Sequence, residues 1–239
     1  AGTTVAALSA SLLGSGQMVP LDPSFPSRAT VGGVLAAGLS GPRRLRYGPV
    51  RDTVPEVHFV SSAGRVIKAG GPVVKNVSGF DLCRVLVGSL GTLGFLAEVV
   101  LRAQPLPAAT RWLAAAVDPF EARRRLFRPS SILWDGATTW ILLEGHPADI
   151  DAEVAHLGGN ATEVDAPPGL PEDRRSVRPS EILDLRGTFM AEVGVGTVHV
   201  VDDKSRPQRE VDPSTLHLNK SLRLAFDPQG RLNPGRMVP

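Results

Sequence analysis

Apolar residues recur at helical spacing from Val5 to Leu13, with Thr3 or Thr4 placed to cap the helix and Gly14 or Gly16 to stop it. Pro20 to Ser27 reads as loop. Gly33 to Leu39 has the small apolar composition of a short buried helix entered through the Gly32-Gly33 turn, a geometry that aims free N–H groups and a positive dipole end at an anion. Val54 to Val60 and Arg65 to Ala69 alternate as strands do, and Ser61-Ser62-Ala63-Gly64 between them has turn chemistry, so a β-hairpin is predicted. Phe80 to Val87 then reads as helix and Phe95 to Arg102 as strand, closed by Gln104-Pro105-Leu106-Pro107.

The texture changes from Arg111. Trp112 to Val117 is a predicted strand, Phe120 to Phe127 a helix, Trp140 to Glu144 a strand and Ile150 to Leu157 a helix. Such alternation predicts a small α+β layer with an antiparallel sheet. Asp165 to Pro179, rich in proline and mixed charge, is expected to be a loop or mobile segment. Phe189 to Val201 reads as one or two strands broken by Gly194 and Gly196, and Thr215 to Phe226 as a last helix.

Between Arg28 and Gly94 lie three glycine-dense stretches in fixed order: Ala29-Thr30-Val31-Gly32-Gly33, Lys75-Asn76-Val77-Ser78-Gly79-Phe80-Asp81 and Gly88-Ser89-Leu90-Gly91-Thr92-Leu93-Gly94. Glycine lets backbone approach a ligand closely and lets successive N–H groups converge on anionic oxygens, so the set points to a large phosphate-bearing ligand. A single Gly-Gly pair would be read as a tight turn entering a packed helix.

These residues resemble the FAD-linked oxidases of the vanillyl-alcohol oxidase type. The resemblance runs through Pro20-Leu21-Asp22, the Ala29-to-Gly33 turn, Ser40-Gly41 with Arg46-Tyr47-Gly48, Lys75 to Leu82, and the Gly88-to-Gly94 loop leading to Glu98. It returns in Phe226-Asp227-Pro228-Gln229-Gly230-Arg231-Leu232-Asn233-Pro234-Gly235-Arg236. Within the family, Ser40-Gly41-Pro42-Arg43-Arg44 paired with Val74-Lys75-Asn76-Val77-Ser78-Gly79 and a small cap is similar to the FAD-binding subunits of bacterial glycolate oxidases. The resemblance implies an α+β fold: the second part of a PCMH-type FAD-binding domain at 1–107, a cap or substrate domain at 108–214, and a C-terminal helix and loop returning to the flavin domain at 215–239. The family's first subdomain would precede Ala1, so the sequence looks like a fragment.

The implied cofactor is FAD, held by Asp22, Thr30, Gly32, Gly33, Ser40, Gly41, Tyr47, Gly48, Asn76, Gly79, Gly91, Gly94, Leu96 and Asn233. Leu96 would meet the adenine end through its main chain, and Asn233-Pro234-Gly235 would lie beside the flavin ring. The implied activity is FAD-dependent oxidation of a 2-hydroxy acid, glycolate to glyoxylate, in a complex with a larger flavoprotein subunit and an iron–sulfur subunit. The implied location is cytoplasmic or peripheral to the inner membrane through those partners. A stand-alone FAD oxidoreductase on another 2-hydroxy acid or alcohol, and a non-catalytic assembly subunit keeping the fold, stay open as alternatives.

Composition adds few constraints to this reading. No run approaches the ~20 apolar residues of a spanning helix, so the chain of 239 residues reads as soluble. One cysteine, Cys83, excludes an internal disulfide; its apolar setting reads as a small buried hydrophobe. A formal charge of +2 with scattered basic residues argues against nucleic acid. Arg123-Arg124-Arg125 and Arg174-Arg175 are the tight basic clusters, read as solvated surface with a partner-docking face as the rival. The family's His-x-Gly-Asp-Gly-Asn-x-His metal string has no counterpart. His58, His146, His156, His199 and His217 stand apart, so no metal site and no catalytic residue is assigned. His199, behind a Gly-broken strand, is the histidine of most interest, with a structural role as its first explanation. Arg43, Arg44 and Lys75 are candidates for a substrate carboxylate or for flavin phosphate.

Overall fold

The computed structural model describes residues 1–72, 81–201 and 212–236. They form helices α1 (Val5–Leu13), α2 (Val31–Ala37), α3 (Arg44–Tyr47), α4 (Leu82–Leu86), α5 (Pro119–Arg125), α6 (Pro147–His156) and α7 (Pro213–Phe226). The strands are β1 (Gln17–Met18), β2 (Glu56–Val60), β3 (Val66–Gly70), β4 (Phe95–Val100), β5 (Gln104–Pro105), β6 (Ala109–Ala115), β7 (Ser131–Trp134), β8 (Thr139–Gly145), β9 (Ala161–Val164), β10 (Asp173–Ser176), β11 (Phe189–Glu192) and β12 (Thr197–Val200). Two compact units result: one from described residues within 1–41, 49–105 and 207–239, the other from those within 42–48 and 106–206.

In the first unit, β3, β2 and β4 make an antiparallel sheet in that order, and β1 pairs with β5. The hairpin turns at Gly64, whose φ of 73° is the left-handed conformation this residue supplies without strain. Val57, Phe59 and Leu96 from the sheet pack with Val31, Val34 and Leu35 of α2 and with Cys83 and Leu86 of α4 in one core. Burial, then the charge of Asp81, pushes the Cys83 thiol up, and its sulfur donates to Ala69 O at 3.5 Å, the setting of an inert cysteine.

The Gly-Gly pair lies inside α2 rather than before it. Thr30 caps the helix by accepting from Gly33 N at 3.1 Å, so the first turn starts two residues earlier than Gly33, and the left-handed Gly38 (φ 65°) ends it.

The C-terminal segment belongs to the first unit. Ser62 Oγ donates to Phe226 O at 2.7 Å, and the buried Asp227 carboxylate accepts from Arg231 N at 3.0 Å and Leu232 N at 2.7 Å. Burial alone would raise the Asp227 pKa, but the Leu232 and Arg231 N–H groups and the Arg223 and Arg231 charges outweigh it and hold it below the ordinary value. A depressed folded pKa contributes stability that is present above the unfolded value of about 4 and is lost as pH falls through the folded one. Residues 228–236 are therefore expected to lose hydrogen-exchange protection on acidification below pH ~4, and in Asp227→Asn already at neutral pH.

The second unit is a seven-stranded antiparallel sheet in the order β10-β12-β11-β7-β8-β6-β9. Its alternation separates two faces. One carries Leu113, Ile141 and Leu143 against Ala122 and Leu126 of the α5 region and Ile150 of α6, and Phe189, Ala191 and Val198 against Ile182. The stretch expected to be loop from Asp165 to Pro179 contains β10, which pairs with β12 from Asp173 to Ser176. An edge strand needs only backbone pairing on one side, and charged side chains such as Arg174 and Arg175 are normal there, so its composition misread as loop. Among the described residues, no helix is long and apolar enough to cross a membrane.

Candidate functional site

The first unit gathers several predicted cofactor residues around α2 and the 88–94 loop. The loop docks on the end of α2 through Gly88 N to Leu35 O (2.9 Å) and Leu90 N to Ala36 O (2.8 Å). From the other side, Asn233 Nδ2 donates to Leu90 O at 2.6 Å. Gly88, Leu90 and Gly91 have φ of 83°, 54° and 73°, so three of four successive residues are left-handed, one of them without glycine's freedom. Strain held in place from two sides marks a shaped surface.

The glycines fall into two groups. Gly32, Gly41 and Gly94 are needed by the chain itself: an added Cβ would lie 2.8 Å from Ala1 Cβ, 2.6 Å from Asp22 Cβ and 2.5 Å from the Phe59 ring. Asp22 and Gly41 are thus brought into contact. Gly88 and Gly91 have nothing within 4 Å of a Cβ. Among the described residues they leave the loop face open to close approach by another molecule. The Val31–Gly33 turn fits the expected anion site poorly. Val31 N, Gly32 N and Gly33 N already donate to Thr3 O, Ala1 O and Thr30 Oγ1, so the chain itself satisfies the donors expected to be free. Ser40 is buried and accepts from Val50 N at 3.1 Å; the Leu96 side chain belongs to the core. Asn76, Gly79 and Lys75 lie outside the described residues.

Tyr47 and Gly48 fall in the second unit, beside a neighbour that no sequence pattern announces. Glu144, the last acid of β8 and buried, accepts from Arg43 Nε at 2.9 Å and from Tyr47 OH at 3.2 Å, while its main-chain oxygen accepts from Arg46. Arg43 therefore pairs with Glu144. Burial first, then the Glu144 charge, pushes the Tyr47 pKa up from its ordinary value of 10.0. The chain has one tyrosine, so a spectrophotometric titration reads this group alone. Phenolate is expected to appear only above pH ~10, and at lower pH in Glu144→Gln, in which the repelling charge is gone.

On the same sheet face as Glu144, β11 and β12 carry a second polar pair. His199 Nε2 lies 2.8 Å from Glu192 Oε1, and His199 Nδ1 3.3 Å from Pro171 O, with both side chains buried. Arg174 stands across from His199 in register. Burial lowers the Arg174 pKa, Glu192 opposes this, and the Arg44 charge adds to it. Sequence reasoning passed over Glu144 and Glu192 and read Arg174 as solvated surface. The signal for the two acids was there: each interrupts an apolar strand run, Ile141-Leu142-Leu143 and Phe189-Met190-Ala191, where a carboxylate needs a buried partner.

Comparison with known proteins fits this arrangement. The family description "FAD binding domain" matches residues 1–70 and "FAD linked oxidases, C-terminal domain" matches residues 177–237. At both ends the chain thus matches domains of the FAD-linked oxidases, an FAD-dependent oxidoreductase family. In sequence it is similar to glycolate oxidase subunit GlcE of Escherichia coli, 37% identical over 166 residues, or 66% of this chain and 47% of that protein. Glycolate oxidase subunit GlcD of Bacillus subtilis is 37% identical over 107 residues, 45% of this chain and 23% of that protein. The chain thus spans about half of the first relative and a quarter of the second. A solved alkyldihydroxyacetonephosphate synthase shares the fold with a TM-score of 0.69 at 14% identity, covering 98% of this chain and 62% of its own.

Proposed function

We propose that the protein serves as the FAD-binding subunit of a glycolate oxidase-like complex that oxidises a 2-hydroxy acid, glycolate to glyoxylate, beside a larger flavoprotein subunit and an iron–sulfur subunit. The observation that carries this reading is the 37% identity to GlcE across 166 residues. When bound, the flavin supplies the hydride acceptor. Of this chain's residues, the 88–94 loop and Asn233 would hold it. Within the second unit taken by itself, Glu192 accepts from His199 Nε2 and Arg174 stands in register with His199, a polar cluster able to meet an anionic group.

A second reading, a non-catalytic assembly subunit, is favoured by the internal bonding of the Val31, Gly32 and Gly33 N–H groups. The visible spectrum separates the two. The protein purified with FAD, alone and with its partner subunits, is expected to keep flavin absorbance through desalting and to bleach with glycolate in the assembled complex. Asn233→Ala should weaken flavin retention by about tenfold, the effect of one well-placed hydrogen bond. A colourless subunit inside a complex that still oxidises glycolate would overturn the flavin role and leave assembly.

A further inference from the structure

We propose that the second unit carries a separate binding site for a small polyanion, a phosphoryl or paired-carboxylate group, in the cavity formed by Leu45, Arg46 and the turn after α5. The cavity has a volume of about 240 Å³ and is lined by the guanidinium-bearing Arg46, Arg123 and Arg128, with Leu45 and Phe127 among its apolar walls. Among the described residues, no carboxylate side chain lines it. Three like charges around one small space repel one another and are held there at a cost that a bound anion relieves.

Arg123 and Arg128 line the cavity from exposed positions, and the three arginines at the end of α5 divide between two roles. Arg124 and Arg125 both pair with Glu121. Arg123 turns away from them, and among the described residues neither it nor Arg128 has an ion pair or hydrogen bond. Arg46 spends Nη1 on Glu144 O and Ser130 Oγ, which leaves its Nε and Nη2 donors uncommitted. Two free guanidinium forks and part of a third therefore converge where bidentate recognition of an oxyanion is possible.

Backbone geometry supports the same assignment. Arg128 has a φ of 53°, a conformation an arginine rarely adopts, and the preceding residue is fixed by Phe127 N donating to Glu153 Oε2 at 2.7 Å. Gly194, with φ 84°, makes room for the wall opposite: a Cβ there would lie 2.9 Å from Leu45 Cδ1 and 3.6 Å from Arg123 Nε. A strained arginine and a glycine that admits the cavity wall are features of a shaped site, even though Arg123 and Arg128 are exposed.

The test is calorimetric titration of the protein with inorganic phosphate and with malonate, against chloride at constant ionic strength. Saturable binding of either anion is expected, and the preferred one tells phosphoryl from carboxylate chemistry. Arg123→Gln and Arg128→Gly should each weaken it by about tenfold. Arg128→Gly also removes the backbone strain, so its melting temperature should be unchanged or higher while binding falls, which separates lost recognition from lost folding. No saturable binding of either anion, or binding undiminished in both variants, overturns the proposal. The titration needs no flavin and no turnover, so its failure leaves the glycolate oxidase reading where it stood.

Discussion

Replacing Gly70 by alanine is expected to destabilise the first unit by about 3–5 kcal/mol, a large part of the stability of a typical domain. Gly70 ends β3 with φ 78°, and its missing Cβ would lie 2.2 Å from Pro55 O and 2.7 Å from Cys83 Sγ. The first distance is to backbone, which cannot rotate aside. Pro55 O is itself fixed, since it accepts from Gly71 N at 3.0 Å. Alanine therefore suffers twice, from a left-handed conformation worth about 1–2 kcal/mol and from a collision that must push β2 and β3 apart. Gly64→Ala supplies the control. Its φ of 73° is equally left-handed, but nothing lies within 4 Å of the new methyl, so only the conformational part, about 1 kcal/mol, should appear. Thermal melts of both variants check the argument. Equal losses would show that close approach at Gly70 contributes nothing.

The same contrast explains what could be read from the sequence. Element types were legible where one face of a segment was buried, as in α1, the β2–β3 hairpin and β8; α7, none of whose residues is fully buried, was legible from its composition alone. The family, the α+β fold and FAD were legible because glycine-rich strings and the Asp227-to-Arg236 string are dense in residues with few substitutes. Glycine spacing could not say why each glycine is there. Gly32, Gly41 and Gly94 face the chain's own atoms, while Gly88 and Gly91 face open space, a difference made by residues distant in sequence such as Asp22 and Phe59. Nor did the cap's strand order show. β10 pairs across a connection of more than a dozen residues, and its run of charged residues shows no apolar alternation, so no periodicity marks it. Glu144 and Glu192 were visible as acids in apolar runs, but their partners were not: Tyr47 comes from α3, far away in sequence, and the pairing of Glu192 with His199 across the sheet depends on register.

Glu144→Ala is expected to lower stability by about 2–3 kcal/mol, toward the low end for breaking a buried ion pair because Arg43 is 29% exposed and partly screened by water. The carboxylate is fully enclosed, with 0% side-chain exposure. Without it the Tyr47 hydroxyl loses its acceptor and the Arg43 guanidinium its buried counter-charge, and the methyl left behind does not fill the space. For a chain of this size the melting temperature of the second unit should fall by roughly 4–12 °C. Glu144→Gln keeps the shape and an acceptor for Arg43, so about half of the loss should return. A double-mutant cycle with Arg43→Ala then isolates the pair: coupling of about 1 kcal/mol or more marks a direct interaction, whereas additive losses would mean that Glu144 acts through packing alone. Because Arg43, Arg46 and Tyr47 come from residues 42–48 and Glu144 from β8, the outcome also decides whether this carboxylate is what fastens that segment to the sheet.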